Sequence, residues 1–343
     1  MKKVPGSTPT IRDVAELAGV SIGTASKALN GKGQLKAETR LRVERAAANL
    51  GFQPNDLVRS LLRGRSYTVG LLADDMVGRF SIPLLTGIED TLSGAEVSVF
   101  LSVSGEDAEL ERRHIASLLA KQVDGIIVCG SRSDPRPSID LGRRSTPVVY
   151  AYCRPQDPQS VGFVVDNAHG ARLATEHLIA TGRRKIAHIA GPYSWRDQQI
   201  RLQAYMSAMH DAGVPMLANA VIGGGGWIAD WGYDAAHRLL DLHPEVDAIF
   251  CGCDTIAMGT MDALKERGRR IPDDVAIAGF DNWDAIVQNT HPKLTSIDMN
   301  FHELGVRAGR ALLDMIEKGS AAVPEGTIEL PCTLVPRASS AVG

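Results

Sequence analysis

No stretch of the 343 residues approaches the roughly 20 consecutive apolar residues that span a bilayer, so no membrane segment is expected. Met1-Lys-Lys3 opens like the basic end of a secretion signal, but Pro5, Gly6 and a polar run stand where its apolar core belongs. Cysteine is scarce and odd in number: there are five, of which Cys251 and Cys253 lie close together, with no second pair or histidine at zinc spacing. That pattern sets aside a disulfide framework and a structural metal, and it fits a reducing cytoplasm. The run Gly223–Gly226 lacks the strand-loop-helix glycine spacing of a dinucleotide site, so a Rossmann oxidoreductase and a bound cofactor are not expected. No nucleophile, base and orienting group recur in a pattern that argues for an enzyme.

An excess of one charge is also lacking, the formal net being −3, but the balance hides an asymmetry. Residues 1–65 carry 12 Lys/Arg against 5 Asp/Glu, a formal +7, while the remainder carries 25 against 35, a formal −10. A basic module on an acidic body is the electrostatic footprint of nucleic-acid binding.

The basic module has the pattern of a helix-turn-helix. Thr10 and Asp13 have capping-box spacing, which starts a first helix near Ile11, with Val14, Ala15 and Ala18 as its apolar stripe. Gly19 suits the left-handed residue that ends it, and Ser21 is an N-cap for the second helix. Gly23, Thr24, Ala25 and Ser26 are small enough for close approach to DNA. Ala25, Ala28 and Leu29 pack inward while Ile22, Gly23, Ser26 and Lys27 face a groove. A third helix is expected at about 37–50, carrying Arg40, Arg42 and Arg45 and stopped by Gly51. The residues alone also allow an ordinary three-helix domain making a protein contact.

The 278 residues from Ser66 onward alternate strand-like runs (67–72, 97–101, 125–128, 148–152, 186–189, 248–251, 275–278) with helical stretches (83–92, 109–121, 170–181, 233–240). This argues for βαβ units, parallel sheets covered on both faces, and ligands beyond the carboxyl ends of the strands.

At Leu50-Gly-Phe-Gln-Pro-Asn55 and Leu57-Val-Arg-Ser-Leu-Leu62 the chain resembles the DNA-binding head and hinge of the LacI/GalR transcriptional regulators. The resemblance continues through Val165-Asp-Asn167, Gly191-Pro192, Arg201-Leu-Gln-Ala-Tyr205, Cys253-Asp-Thr-Ile-Ala-Met-Gly259, Gly279-Phe-Asp-Asn282 and Leu294-Thr-Ser-Ile-Asp298. It implies an all-α helix-turn-helix head (1–54), a hinge helix and linker (55–66), and an effector-binding and dimerisation core (67–343). The implied core is periplasmic-binding-protein-like, with two doubly wound parallel-sheet subdomains at about 67–162 with 296–325 and about 163–295 with 326–343. Crossovers are expected near 161–165, 295–300 and 326–329.

The resemblance also assigns residues. It implies DNA contacts from Ser21, Ile22, Gly23, Thr24, Ser26, Lys27, Asn30, Asn55 and Arg59, with Leu61 as the apolar wedge of a hinge helix in the minor groove. Val58 stands where the family usually has alanine, and Lys27 where arginine is more usual, a point charge in place of a bidentate fork. A two-fold operator implies a homodimer on pseudo-palindromic double-stranded DNA. No leucine heptad follows Pro336, so a tail-mediated tetramer is not expected.

For a small effector the implied contacts are Asp74, Phe80, Ser81 and Cys129 from the first subdomain and His169, Arg201, Trp227, Cys253, Asp254 and Asp281 from the second. Arg201 and Asp281 offer a donor fork and an acceptor pair for hydroxyls, Trp227 and Phe80 apolar faces for a ring. Cys253 replaces the family's common asparagine, and Gly78-Arg79-Phe80-Ser81 departs from its Asn-Pro-aromatic-aromatic run. The glycines at 223–226 read either as mobility for Trp227 or as loop slack, and Trp195 and Trp283 as rim residues or surface. A sugar or sugar-derivative effector of a repressor is favoured. A purine-responsive co-repressed regulator and a solute-binding receptor are the alternatives.

Overall fold

The computed structural model describes residues 9–30, 33–52, 65–75 and 77–341. The chain divides into two compact units, Met1–Ser66 and Tyr67–Gly343.

The first unit holds α1 (Ile11–Leu17), α2 (Ile22–Leu29) and α3 (Ala37–Leu50). Asp13 reaches back to accept hydrogen bonds from the Thr10 N–H at 2.8 Å and the Thr10 hydroxyl at 2.9 Å, and Ser21 Oγ accepts from the Thr24 N–H at 3.1 Å. Gly19 and Gly51 take left-handed conformations, φ 60° and 61°, that turn the chain after α1 and end α3. Val14, Ala15, Ala18, Ala25, Ala28, Val43, Ala46 and Ala47 form its core, built of small side chains that let three short helices approach closely.

The second unit begins with β1 (Thr68–Ala73), α4 (Ser81–Leu92), β2 (Ser98–Val103), α5 (Ala108–Ala120) and β3 (Gly125–Cys129). The short β4 (Pro135–Arg136) and β6 (Arg154–Pro155) flank β5 (Val148–Ala151), and β7 (Val161–Val165) leads into α6 (Asn167–Ala180). Next come β8 (Ile186–Ile189), α7 (Arg196–Asp211), β9 (Val221–Ile222), α8 (Ala229–Leu242), β10 (Ala248–Cys251) and α9 (Asp254–Glu266). The chain ends through β11 (Ala276–Asp281), α10 (Asp284–Val287), β12 (Thr295–Asp298), α11 (Phe301–Lys318), β13 (Gly326–Leu330) and β14 (Thr333–Val335).

These strands make two six-stranded sheets, ordered β13-β7-β5-β3-β1-β2 and β14-β12-β11-β10-β8-β9. The first is wholly parallel, and the second is parallel except for β14, an antiparallel edge strand. Every strand-like run read from the sequence overlaps an observed strand, the clearest being β3, β8 and β10, which are buried along their whole length. The middle crossover falls within 295–300 as read, and the outer two correct the sequence reading by a few residues. Val161–Val165 pairs within the first sheet from end to end, as does Gly326–Leu330, so the chain changes subdomain after Val165, after Asp298 and after Leu330. Among the described residues no helix is long and apolar enough to cross a membrane.

Candidate DNA-binding surface and effector cleft

On α2, burial of Ala25 and Ala28 turns Ser21, Ile22, Gly23 and Lys27 to solvent and leaves Thr24, Ser26 and Asn30 half-buried. The polar groups among them are spent within the helix. The Ser21 and Thr24 hydroxyls share a hydrogen bond of 2.9 Å, and Asn30 Nδ2 donates to Ser26 O at 2.8 Å and to Ser26 Oγ at 3.3 Å. The exposed groups without such a bond are an isoleucine methyl surface, a bare backbone and one ammonium, which fit a thymine methyl, close groove approach and a phosphate. Asn55, Arg59 and Leu61 lie outside the described residues.

In the second unit the strand ends converge on a cavity of about 140 Å³ lined by Asp75, Arg79, Phe80, Ser131, Tyr152, Trp195, Asp197, Arg201 and Trp227. Arg201 projects from the second turn of α7 and is 2% exposed. Its Nε donates to Asn167 Oδ1 and its Nη1 to the Gly252 carbonyl, both at 2.7 Å, and the guanidinium lies 3.6 Å from the centre of the Phe280 ring. Beside it, Asp197 accepts from Asn167 Nδ2 at 3.0 Å and, from the other subdomain, from the Ser133 N–H and the Tyr152 hydroxyl, both at 3.1 Å. Burial next to that carboxylate pushes the Tyr152 hydroxyl pKa well up, so it stays a donor.

Asp281 ends β11 with φ 107°, a left-handed conformation strained for a residue with a side chain. Its Oδ2 meets Arg79 Nη2 at 2.6 Å, an ion pair between the subdomains, while Oδ1 stands 4.0 Å from Arg201 Nη1 and accepts no hydrogen bond. Two other buried polar atoms here lack a partner, Trp227 Nε1 and Arg79 Nε. Asp254, fully buried, accepts from the Trp283 N–H at 2.8 Å and from Ser296 Oγ at 2.5 Å. Burial and the Asp281 charge push the Asp254 carboxyl well up; burial raises Asp281 as well, against the opposing pull of the Arg79 and Arg201 guanidiniums.

The glycine loop is a packed floor. A Cβ at Gly223 would come within 2.5 Å of Tyr193 and one at Gly225 within 2.0 Å of Trp231, while one at Gly191, on the preceding strand end, would meet Trp227 at 2.5 Å. Packing accounts for Gly223 and Gly225 and a φ of 97° for Gly224, while Gly226 has room for a side chain. Trp195 stands edge-on to Trp227 with ring centres 5.7 Å apart, so it lines the cavity. Trp283 belongs instead to an outer pocket.

Of the effector contacts expected from the sequence, Phe80, Arg201 and Trp227 line the cavity together, and Asp281 adjoins it through Arg201. The others do not line it. Asp74 accepts from Ser104 Oγ at 2.9 Å and faces Arg136 at 3.7 Å, and its place is taken by Asp75. Asp75 in turn ties down the following loop by accepting from the Val77, Gly78, Phe80 and Ser81 N–H groups. Ser81 is buried at the start of α4, and Cys129 is buried at the end of β3. Cys253 caps α9 with its sulfur, accepting from the Ile256 N–H at 3.5 Å, which is why a small acceptor suffices there. Asp254 is occupied as above, and His169 offers its N–H to Asp166 while its half-buried ring lies off the cavity. The sequence reading missed Asp75, Arg79, Ser131, Tyr152 and Asp197 as contacts.

A helix-turn-helix carried by the same chain as two parallel-sheet halves around a ligand-sized cavity defines a ligand-responsive DNA-binding regulator. Residues 66–335 match the family of periplasmic binding proteins and the sugar-binding domain of the LacI family, and residues 10–55 match the bacterial regulatory proteins of the lacI family. The chain belongs to the LacI family of transcriptional regulators. It is 34% identical to a ribose operon repressor of Halalkalibacterium halodurans over 97% of this chain and 98% of that one. Among solved structures it is similar to the lac repressor dimer bound to operator and an anti-inducer, with TM-score 0.79 and 26% identity over 98% of this chain and 100% of that one. A complex of the regulator CelR with cellobiose matches with TM-score 0.64 and 30% identity, over 96% of this chain and 99% of that one.

Proposed function

We propose that this chain is a cytoplasmic, homodimeric repressor without enzymatic activity, and that a sugar-like effector held between its core subdomains sets its affinity for operator DNA. The observation that carries the effector reading is the set of buried, unpaired polar atoms around an aromatic-walled cavity. Trp227 Nε1 is a free donor and Asp281 Oδ1 a free acceptor beside the Arg201 guanidinium. A ring bearing several hydroxyls both donates and accepts, and can satisfy a donor and an acceptor at once. The contacting wall rings are inclined, Trp195 to Trp227 at 68° and Phe80 to Tyr152 at 59°, a set of faces that suits a puckered ring.

The subdomains are clasped by Asp197 with Ser133 and Tyr152, and by Arg79 with Asp281. An effector that replaces or completes these contacts changes the free energy of closing one half on the other. Coupling of about 1–3 kcal/mol, reciprocal between effector and operator, is the usual scale for such a link. Ribose operon repressor and CelR–cellobiose, as names of relatives, favour a carbohydrate ligand.

The test is a thermal-shift and tryptophan-fluorescence screen of the DNA-free protein against sugars, sugar acids, polyols, nucleosides and purines, followed by operator binding with each hit. At 100 times its dissociation constant a ligand adds about 2.7 kcal/mol to the bound unit. A sugar that stabilises the core and changes operator affinity is the expected result. Purines or nucleosides as the only hits overturn the carbohydrate reading.

A further inference from the structure

Arg79 and Phe80 form part of the walls of two spaces. One is the inner cavity of about 140 Å³. The other is an outer pocket of about 540 Å³ whose lining includes Asp281, Trp283 and Phe301. The Arg79–Asp281 ion pair, 2.6 Å long with side chains 18% and 3% exposed, joins opposite subdomains at this shared wall. The Arg79 guanidinium also lies 4.4 Å over the Phe80 ring, and Phe80 stacks on Phe301 with ring centres 4.8 Å apart. The partition is therefore braced on both sides.

Resting on the carbohydrate reading above, we infer that Arg79 is a specificity-determining residue that roofs the inner cavity and limits the effector to a single sugar ring. A cavity of about 150 Å³ holds one benzene ring, and a pyranose with its hydroxyls is larger, so the inner space of about 140 Å³ admits no more than one ring with the ion pair intact. A second sugar unit has to enter the outer pocket, which requires Arg79 to leave Asp281. Separating the pair leaves the buried Asp281 carboxylate with only the more distant Arg201 guanidinium at 4.0 Å, and a neutral sugar hydroxyl does not replace a cation. A single ring avoids that loss and gains the unpaired Trp227 Nε1, which lines the inner cavity. The size limit comes from an electrostatic contact rather than from bulk, so removing one side chain is expected to lift it.

The test is calorimetric titration of the full-length chain and its Arg79→Ala variant with matched pairs: glucose and cellobiose, galactose and lactose, xylose and xylobiose. The wild-type chain is expected to bind at least one monosaccharide about tenfold or more tighter than its disaccharide, and R79A to narrow that gap to within about threefold. Arg79→Lys keeps the charge but not the planar fork, and is expected to fall between them; it also serves if the alanine variant does not fold. Wild-type binding of a disaccharide as tight as that of its monosaccharide, or an unchanged ratio in R79A and R79K, overturns the size filter and leaves the carbohydrate reading standing. If no sugar binds any of the three proteins, the carbohydrate reading fails and the filter with it.

Discussion

The recognition helix and the cleft hold their polar groups in opposite ways. On α2, Ser21, Thr24, Ser26 and Asn30 satisfy one another, and the groups left over face water. In the cleft, Asp281 Oδ1, Trp227 Nε1 and Arg79 Nε are buried with no partner. Leaving a solvated surface empty costs nothing, whereas each buried unpaired group costs about 1–3 kcal/mol that a fitting ligand returns. The contrast suits a surface that waits for a charged polymer and a cavity that responds to one small molecule.

The largest expected effect is in the cleft. Arg201→Ala removes the donor to Asn167 and Gly252 and one of the two cations beside Asp281. It should lower the stability of the 67–343 unit by about 3–5 kcal/mol, the range for breaking a buried charged network, and abolish effector binding. The 1–66 unit should melt unchanged, so calorimetry resolves the two. A core transition left in place would mean that Arg201 is only a ligand contact.

Next in size is a pH effect. His188 is fully buried; we assign Nδ1–H as donor to the Phe250 carbonyl at 2.9 Å, leaving Nε2 to accept from the Gln198 amide at 3.1 Å. Gln198 Oε1 accepts from the Gly191 N–H at 2.8 Å, which ties this ring to the floor under Trp227. Burial pushes the His188 pKa down to about 4, against an unfolded value near 6.5. Between these values the unfolded chain carries a proton that the folded chain does not. The contribution is therefore whole above pH ~6.5 and lost as pH falls toward 4, by about 3 kcal/mol in all. Urea unfolding of wild type and His188→Gln across that interval should show the steeper loss in wild type; parallel profiles would mean that His188 is protonated in the fold.

A smaller effect tests the floor itself. Gly191→Ala places a methyl 2.5 Å from the Trp227 ring, so the indole must shift. Overpacking of this kind should cost about 1–3 kcal/mol and weaken effector binding. A neutral result would show that Trp227 has room to move after all.

The sequence made the head legible because its signals are local. Thr10 with Asp13, Gly19, Ser21 and Gly51 each act within one turn of their neighbours, and all four features are in place. Buried strands were legible as apolar runs. The helix that carries the key arginine, α7, was not. Its inward stripe runs Asp197, Gln198, Arg201, Ala204, Tyr205, Ala208 and Met209, so the first half is polar and breaks the apolar periodicity. Function erased the pattern by which a helix is read. Whether Asp74 or Asp75 faces the cavity is a one-residue question that only the turn after β1 answers, with Asp75 collecting four backbone N–H groups. The strand at 326–330 read as a crossover in the sequence because its pairing partner is far along the chain, β13 joining β7 from 165 residues away.

The smallest effect sharpens the comparison most, because the same substitution is expected to act with opposite signs in the two regions. Gly23 lies inside α2, and a Cβ there would have only Ser21 Oγ for company, at 3.9 Å. Alanine is favoured over glycine in a helix interior by roughly 0.5–1 kcal/mol, so Gly23→Ala should raise the melting point of the 1–66 unit where Gly191→Ala lowers that of the core. Among the described residues nothing in the packing of the head requires this glycine, which points to the groove as its reason. If so, the stabilised variant should bind operator DNA more weakly, the added methyl holding α2 off the base edges. Salt dependence separates the two contributions. Gly23→Ala should leave the slope of log affinity against log salt unchanged, and Lys27→Ala should reduce it by about one unit, because one phosphate is no longer neutralised. Operator affinity that survives Gly23→Ala would mean that this turn of α2 does not come within a methyl's width of DNA, and that base reading on this face belongs to Ile22.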